Sequence, residues 1–455
     1  MPGSGSRWIV LATILGSSIV FVDATVVNVA LPRIQADLGG GLAAQQWVVD
    51  AYLLTLGSLI LVGGSLGDIF GEVRVFVLGV AAFGLASVLC AVSPDITSLI
   101  VFRGIQGVAG ALLTPASLAV ITASFAGAER GAAIGTWTAW SGISTIVGPL
   151  FGGWLVEAAS WRIIFLLNVP IALATIAVAV FLMPHRESRG TRARVDLLGG
   201  VLCAAGLGGV VFALIEQPRL GWSHWAIVLG LAGGAASLVA FLLREARIEA
   251  PMLPLRLFAS RNFSAANIET FAVYGGLSAW GFFLALFLQQ LAGYSPFRAG
   301  LTTAPVTVVM FVLSRYAGRY SVTHGPRLLM SLGPTIAGLS LLALARLPTH
   351  LDYWVDLLPP LVGFAAGLSM TVAPLTTTVL SDAGPLDAGI ASGVNNAVAR
   401  VAGLVAIAGI GLVASRNGHA LTAHGFHRSM LIVGLLVCLG GLIGAAGIRN
   451  PVSDR

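Results

Sequence analysis

Among the ionisable side chains inside stretches long and apolar enough to cross a membrane, five stand out: Asp23, Asp50, Arg103, Glu269 and Arg400. Asp23 sits two-thirds of the way along WIVLATILGSSIVFVDATVVNVALP (Trp8 to Pro32), with Thr25 and Asn28 following within two turns. A charge in a lipid-facing helix costs roughly 2.5–3.5 kcal/mol even on the lenient insertion scale. Such residues either move protons and bind charged ligands, or pin helices together as fixed ion pairs. The proton affinity of a carboxyl depends on its burial and on neighbouring charge. A carboxyl that swings between a dry setting and one beside an arginine therefore takes up a proton on one side and releases it on the other.

Depth brings three of the five together. Asp23 lies some 15 residues from the inner end of its run, about 22 Å up by the helical rise. Arg103 lies about seven residues, roughly 10 Å, below the outer end of the fourth run, with Gln106 one turn further on. Asp50 lies near the outer end of the second run. All three are expected at comparable depth, where Arg103 can hold one or both carboxylates. Asp50, so near an interface, can also simply be wet. Glu269 enters the ninth run by a turn or two, and Arg400 lies near the middle of the thirteenth. They either pair or face water separately.

Two further stretches suggest mechanics rather than charge. GSLGDIFGEVR contains Gly64, Asp68, Gly71 and Arg74. Its glycines permit tight turns and close packing, and Asp68 at a helix end is placed to bond across to another helix, as a gate requires. An ordinary acidic loop residue would look the same. STIVGPLFGG carries Gly148, Pro149, Gly152 and Gly153. Small residues four apart allow close backbone approach, and proline kinks a helix.

The chemistry of soluble enzymes is poorly represented, and no catalytic residue is assigned. All 25 basic residues are arginine, so a phosphate-binding loop ending in lysine is excluded, and with it an ATPase of that type. No zinc pattern of the H-E-x-x-H type occurs, and no cofactor or metal is expected. His419, His424 and His427 cluster in one outer loop that reads as solvated. His185 and Asp196 share a basic loop without a recognisable spacing. Cys90, Cys203 and Cys438 each fall in an apolar run, which implies neither a disulfide framework nor a metal cluster.

The elements that must carry these residues are helices. With 455 residues, 57% hydrophobic and 10% charged, the chain is far too apolar for a soluble protein, which needs about a quarter of its residues charged. Runs of about 20 apolar residues occur at 8–32, 45–66, 74–92, 97–122, 132–156, 162–183, 196–216, 224–243, 263–291, 299–320, 328–346, 354–379, 388–415 and 428–448. The expectation is an all-α integral membrane protein of about fourteen transmembrane helices. Placing both termini in the cytoplasm puts sixteen arginines inside and seven outside, in accord with the positive-inside rule. The net charge of +6 then belongs to basic loops rather than to nucleic-acid binding.

A repeat is visible in the order of motifs. GSLGDIFG (64–71) closes the second run and GRYSVTHG (318–325) the tenth, with equal glycine spacing. RGAAIG (130–135) and AGIASG (388–393) each open a glycine-rich helix. The pattern suggests duplication, as in many transporters: a six-helix bundle over 1–183, two inserted helices with basic flanks over 184–261, and a second six-helix bundle over 262–455.

The chain resembles the fourteen-span drug:proton antiporters of the major facilitator superfamily along essentially its whole length. The resemblance rests on VDATVVNVALP (22–32), the loop from Gly64 to Arg74, LIVFRGIQGVAGA (99–111), the GP-x-x-GG of the fifth run, WRIIFLLNVP (161–170), GYSPFRAG (293–300) and NNAVARVAG (395–403). It implies two pseudo-symmetric bundles rocking around a central cavity and export driven by inward proton flow. It also implies proton or substrate binding at Asp23, proton transfer at Arg103, a leak-sealing role for the Gly148–Pro149 helix and a cytoplasmic gate at Asp68. The gate departs from the family: Ile69 and Glu72 stand where arginines are common, leaving only Arg74, and Val322 occupies the place of a repeated aspartate. The expected partners are protons, the lipid bilayer and a small amphipathic or cationic substrate, and the expected setting is the plasma membrane of a bacterium, as a monomer. The same fold exporting a lipid, amino acid, siderophore or other metabolite is the alternative.

Overall fold

A computed structural model describes residues 4–183, 195–249, 251–415 and 420–450. The basic segment expected at 184–196 lies mostly outside the described residues, as do Arg416, His419 and Arg455. The described chain is helical throughout, with no strand. Water cannot satisfy backbone groups inside a bilayer, so uninterrupted Leu, Val, Ile, Ala and Gly runs close their hydrogen bonds internally as helices.

The order is α1 (Ser4–Leu38), α2 (Leu42–Phe70), α3 (Glu72–Ala91), α4 (Ile96–Ser124), α5 (Gly127–Ala158), α6 (Arg162–Leu166), α7 (Asn168–Phe181), α8 (Leu197–Leu220), α9 (Trp225–Glu245), α10 (Arg261–Leu286), α11 (Pro296–Thr302), α12 (Ala304–His324), α13 (Arg327–Leu344), α14 (Leu358–Ala414) and α15 (Ala423–Gly447). Thirteen spans among the described residues are long and apolar enough to cross a membrane; α6 and α7 together make one, and α14 supplies two, Tyr353–Ala383 and Asp387–Ala414. The fifth expected run falls on α5, a helix of 32 residues with side chains 141–147 outside the described ones; it is not among the thirteen.

Local chemistry sets the helix ends. The break SPD before α4 places Asp95 at the N-cap, where its carboxylate accepts from the Ser98 amide at 2.9 Å and from the Ser98 hydroxyl at 2.8 Å. These bonds hold the exposed Asp95 carboxyl below its ordinary range. The α2–α3 corner turns at Gly71 with φ +96°, and the α12–α13 corner at Gly325 with φ +84°. That region of backbone space suits glycine alone, so the sequence repeat at 64–71 and 318–325 is also a repeat of backbone geometry.

The chain forms two compact units. The first comprises Met1–Val210, Leu229–Met252 and Ser295–Gly300; the second comprises Val211–Val228, Leu253–Tyr294 and Leu301–Arg455. In the first, α4 packs on α2 and α3, α1 packs on α5 and α7, and α3 packs on α7. In the second, α14 packs on α12, α13 and α10, and α15 packs on α10 and α13. Each pairing in the first unit thus recurs in the second, in the same chain order.

Glycines set the closest approaches. Within the first unit, a Cβ added to Gly209 of α8 would stand 2.7 Å from the Gly230 carbonyl oxygen of α9. At one end of this pair the Arg244 guanidinium grips Asp196 at 2.8 Å.

Candidate functional site

The polar residues of the first unit converge on Asp23. Close contact between α2 and α4 makes this possible: a Cβ on Gly107 would meet the Thr55 hydroxyl at 2.1 Å and the Tyr52 carbonyl at 2.4 Å. Thr55 Oγ1 donates across the seam to the Gly104 carbonyl at 2.7 Å. With α2 drawn in, Arg103 donates its Nε–H to the Val48 carbonyl at 3.0 Å and lays its guanidinium over the Tyr52 ring, 4.3 Å from the centroid. Its Nη1 reaches Asp23 Oδ2 at 2.5 Å and Gln106 Oε1 at 2.6 Å.

The other carboxylate oxygen is also engaged. Asp23 Oδ1 accepts from Gln106 Nε2 at 3.0 Å and from Asn168 Nδ2 at 3.3 Å. Both amides also donate to the Ser87 hydroxyl, at 3.0 and 3.2 Å, and Ser87 in turn donates to the Phe83 carbonyl at 2.8 Å. Asp23, Gln106 and Ser87 are 0% exposed, Arg103 and Asn168 1%. Removing two charges from water is expensive unless the pair is also well hydrogen-bonded. Five side chains from α1, α3, α4 and α7 meet that condition around both charges, with the Asn168 Oδ1 left unpartnered among the described residues. Loss of one charge would leave the other buried without compensation, at about 3–5 kcal/mol.

The other sequence candidates lie as follows. Asp50 is not bound by Arg103, although the carbonyl that Arg103 touches belongs to Val48, two residues earlier on α2. Its position near a helix end does not leave it wet: it is 0% exposed, and both its carboxylate oxygens lack a hydrogen-bond partner among the described residues. Asn28 lies one turn beyond Thr25 on α1, its Oδ1 buried without a partner. Glu269 and Arg400 form no ion pair; Glu269 is 0% exposed with both oxygens unpartnered, and Arg400 is half-buried on α14.

Helix α5 meets α1 through the predicted small residues. A Cβ on Gly148 would meet Thr25 Oγ1 at 2.3 Å, and one on Gly152 would meet Val26 Cγ2 at 1.8 Å. Thr25 Oγ1 caps the Val22 carbonyl at 3.0 Å, so this seam starts one residue from Asp23. Gly153 faces the Pro296 carbonyl, and Gly300 faces the Pro149 carbonyl, at 2.6 and 2.2 Å from their ideal Cβ positions. Asp68 occupies the last turn of α2 and is exposed, as is Arg74 on α3, while Gly64 lies within ordinary contact of Pro115.

Sequence reasoning missed Ser87, Asn168 and Tyr52. Each is uncharged and of a type that membrane helices use for routine packing. Asn168 had one signal: it is the polar residue inside the apolar stretch IIFLLNVP that opens the sixth span.

Comparison with known proteins agrees with this architecture. The Major Facilitator Superfamily pattern matches residues 13–407. A probable actinorhodin transporter of Streptomyces coelicolor is 36% identical over 427 residues, 90% of this chain and 73% of that one. A methylenomycin A resistance protein of the same organism is 35% identical over 450 residues, 98% of this chain and 93% of its own. The crystal structure of a D-xylose–proton symporter superposes with a TM-score of 0.70 over 98% of this chain and 99% of that one; at 16% identity it speaks for the fold. The family match over residues 13–407 and a relative covered nearly end to end show that the chain belongs to the Major Facilitator Superfamily, as a multi-span membrane transporter and not an enzyme.

Proposed function

We propose that this protein exports small amphipathic or cationic molecules, antibiotics or drugs, in exchange for protons, by alternating access between two pseudo-symmetric six-helix bundles joined by α8 and α9. The cargo class follows from the relatives, one named as a transporter of actinorhodin and another for resistance to methylenomycin A. The coupling follows from one observation above all: the buried Asp23–Arg103 pair with its complete set of partners.

A proton arriving at Asp23 removes the negative half of that pair. Arg103 then keeps Gln106 Oε1, the Val48 carbonyl and the Tyr52 ring, but no counter-charge. Asp50, two residues from Val48, is the next carboxyl on a helix Arg103 already touches. The cluster therefore has two arrangements that differ by one proton, and a cationic substrate bound near Asp23 competes for the same charge. Ligand and proton shift one equilibrium in opposite senses, which is the thermodynamic content of exchange. The α1–α5 seam at Gly148 and Gly152 transmits a change at Asp23 to the neighbouring helix, because Thr25 and Val26 have no slack against α5.

In this reading the chain crosses the plasma membrane fourteen times as a monomer, both termini cytoplasmic, and draws on the proton motive force without a cofactor. The test is a panel of antibiotics and dyes added to everted vesicles with an imposed proton gradient. Substrate-dependent dissipation of the gradient supports the reading, and its absence across the panel directs attention to lipid or metabolite cargo.

A further inference from the structure

The second unit carries its own buried carboxyl, unused by the cluster around Asp23. Glu269 lies eight residues into α10, about 12 Å along the helix. It is fully enclosed, and neither carboxylate oxygen has a hydrogen-bond partner among the described residues. On the α15 side its Oε2 comes within 3.0 Å of the ideal Cβ position of Gly444, so the carboxyl packs closely against that glycine. On the α14 side the polar neighbours of α10 are already committed elsewhere: Asn395 donates to Thr270 at 2.7 Å and to Asn267 at 3.2 Å, and Asn267 donates to the Phe263 carbonyl at 2.8 Å. Of the charged groups on the elements packed against α10, Arg256 of the turn Leu255–Ala259, Asp382, Asp387 and Arg400 of α14 and Arg428 of α15, none forms an ion pair with Glu269; Arg256 is paired with Asp387.

The N-terminal end of α10 is closed by a hydrogen-bonded collar. Ser260 donates to Asp382, and the Phe263 amide donates to the same oxygen at 3.1 Å. Arg261 donates to the carbonyls of Gly447 at 3.0 Å and Ala446 at 2.5 Å, and Asn262 and Arg449 exchange two bonds at 2.9 and 3.2 Å. Arg256 forks onto Asp387 with both bonds at 2.8 Å. This collar ties the start of α10 to the middle of α14 and to the end of α15, about two turns along α10 from Glu269.

We infer that Glu269 is a second proton site, carrying its proton in the closed second unit and exchanging it with water only when the collar opens. A carboxylate closed off from solvent, with no cation or donor beside it among the described residues, is far costlier in such a place than a carboxylic acid. A purely structural role is unsuited to a side chain that makes no bond. The inference rests on the exchange reading above and adds to it a proton held in the other unit, with its own door.

Infrared spectroscopy of the full-length protein in lipid, moved from H2O to D2O, tests this without any substrate. The wild type should show the C=O band of a protonated carboxyl free of hydrogen bonds, shifting slowly on deuteration. Glu269→Gln should lose that band, and Glu269→Asp, one methylene shorter, should move it. Arg261→Ala or Asp382→Ala should speed the deuterium shift by about tenfold, as expected for two hydrogen bonds removed from the closed state. A wild-type spectrum unchanged by Glu269→Gln overturns the protonated site, and a collar variant exchanging at the wild-type rate overturns the door. If the band behaves as described but no antibiotic moves protons in vesicles, the exchange reading fails and the proton site stands.

Discussion

Arg103 of α4 donates to Asp23 of α1 at 2.5 Å, across 80 residues of sequence, with both side chains closed to solvent. The same guanidinium touches the α2 backbone at Val48 and the Tyr52 ring, so one side chain senses three helices. A proton added to this pair changes what holds α1, α2 and α4 together. In the exchange reading proposed above, the pair is a switch as well as a brace.

Gln106 and Asn168 give the first prediction. Asp23 Oδ1 depends on these two amides, and Arg103 has Gln106 Oε1 as its second side-chain acceptor. Gln106→Leu should lower export more than Asn168→Leu, because it strips both members of the ion pair rather than one. Initial rates of antibiotic uptake into everted vesicles, normalised to protein in the membrane, compare them.

The α1–α5 seam gives the second. Gly152→Ala places a methyl 1.8 Å from Val26 Cγ2, an overlap that a turn of the Val26 side chain or a shift of the helix must relieve. Overpacking of this kind costs about 1–3 kcal/mol. The variant should melt at a lower temperature in detergent, and Val26→Ala on the same chain should restore most of the loss.

Helix corners give the third. Gly71 and Gly325 both hold positive φ, and at Gly325 an added Cβ would also stand 2.3 Å from the Asn450 side chain. Forcing a side chain into such backbone space costs of order 1–3 kcal/mol. Gly325→Ala should therefore be the more damaging of the two alanine variants in a thermal melt.

The N-cap of α4, the helix that carries Arg103 and Gln106, gives a pH-dependent prediction. Bonds from Ser98 hold the Asp95 carboxyl below its usual range. Its contribution is therefore complete above the ordinary aspartate range and fades as pH falls through the lowered value. Asp95→Ala should reduce thermal stability at neutral pH and make little difference once both proteins are acid enough to protonate the cap. A gap between the two melts that widens towards acid pH would contradict this.

Asp23 and Arg103 were legible as lying at one level because charge is rare in membrane spans and helical rise fixes depth, but whether Arg103 holds Asp23 or Asp50 was left open by the sequence. Asp50 satisfied the same arithmetic and yet stands apart. Depth says nothing of azimuth, and Asp50 lies 200° round α2 from Val48, at about 100° per residue. Ser87 was silent because serine packs helices everywhere, and Asn168 showed only as a polar residue in an apolar stretch; the three-dimensional convergence of α3 and α7 gives both a role. The spans themselves read well, down to the two halves of α14, since twenty apolar residues have one solution in a bilayer. The glycines at 64–71 and 318–325 showed the repeat, and the backbone at Gly71 and Gly325 explains why glycine was needed. The collar below Glu269 was beyond reach: it is built from backbone carbonyls of α15 and ordinary loop arginines, which carry no pattern.

The most direct measurement is substrate-driven proton movement in everted vesicles containing wild type or Asp23→Asn. Asparagine keeps the size of the aspartate and one of its two acceptor oxygens but cannot exchange a proton. With a gradient imposed, wild type should dissipate it when a transported antibiotic is added, and Asp23→Asn, present at equal level and equally folded, should not. If Asp23→Asn dissipates the gradient and exports the antibiotic as wild type does, the Asp23–Arg103 pair is a brace alone, and coupling lies elsewhere.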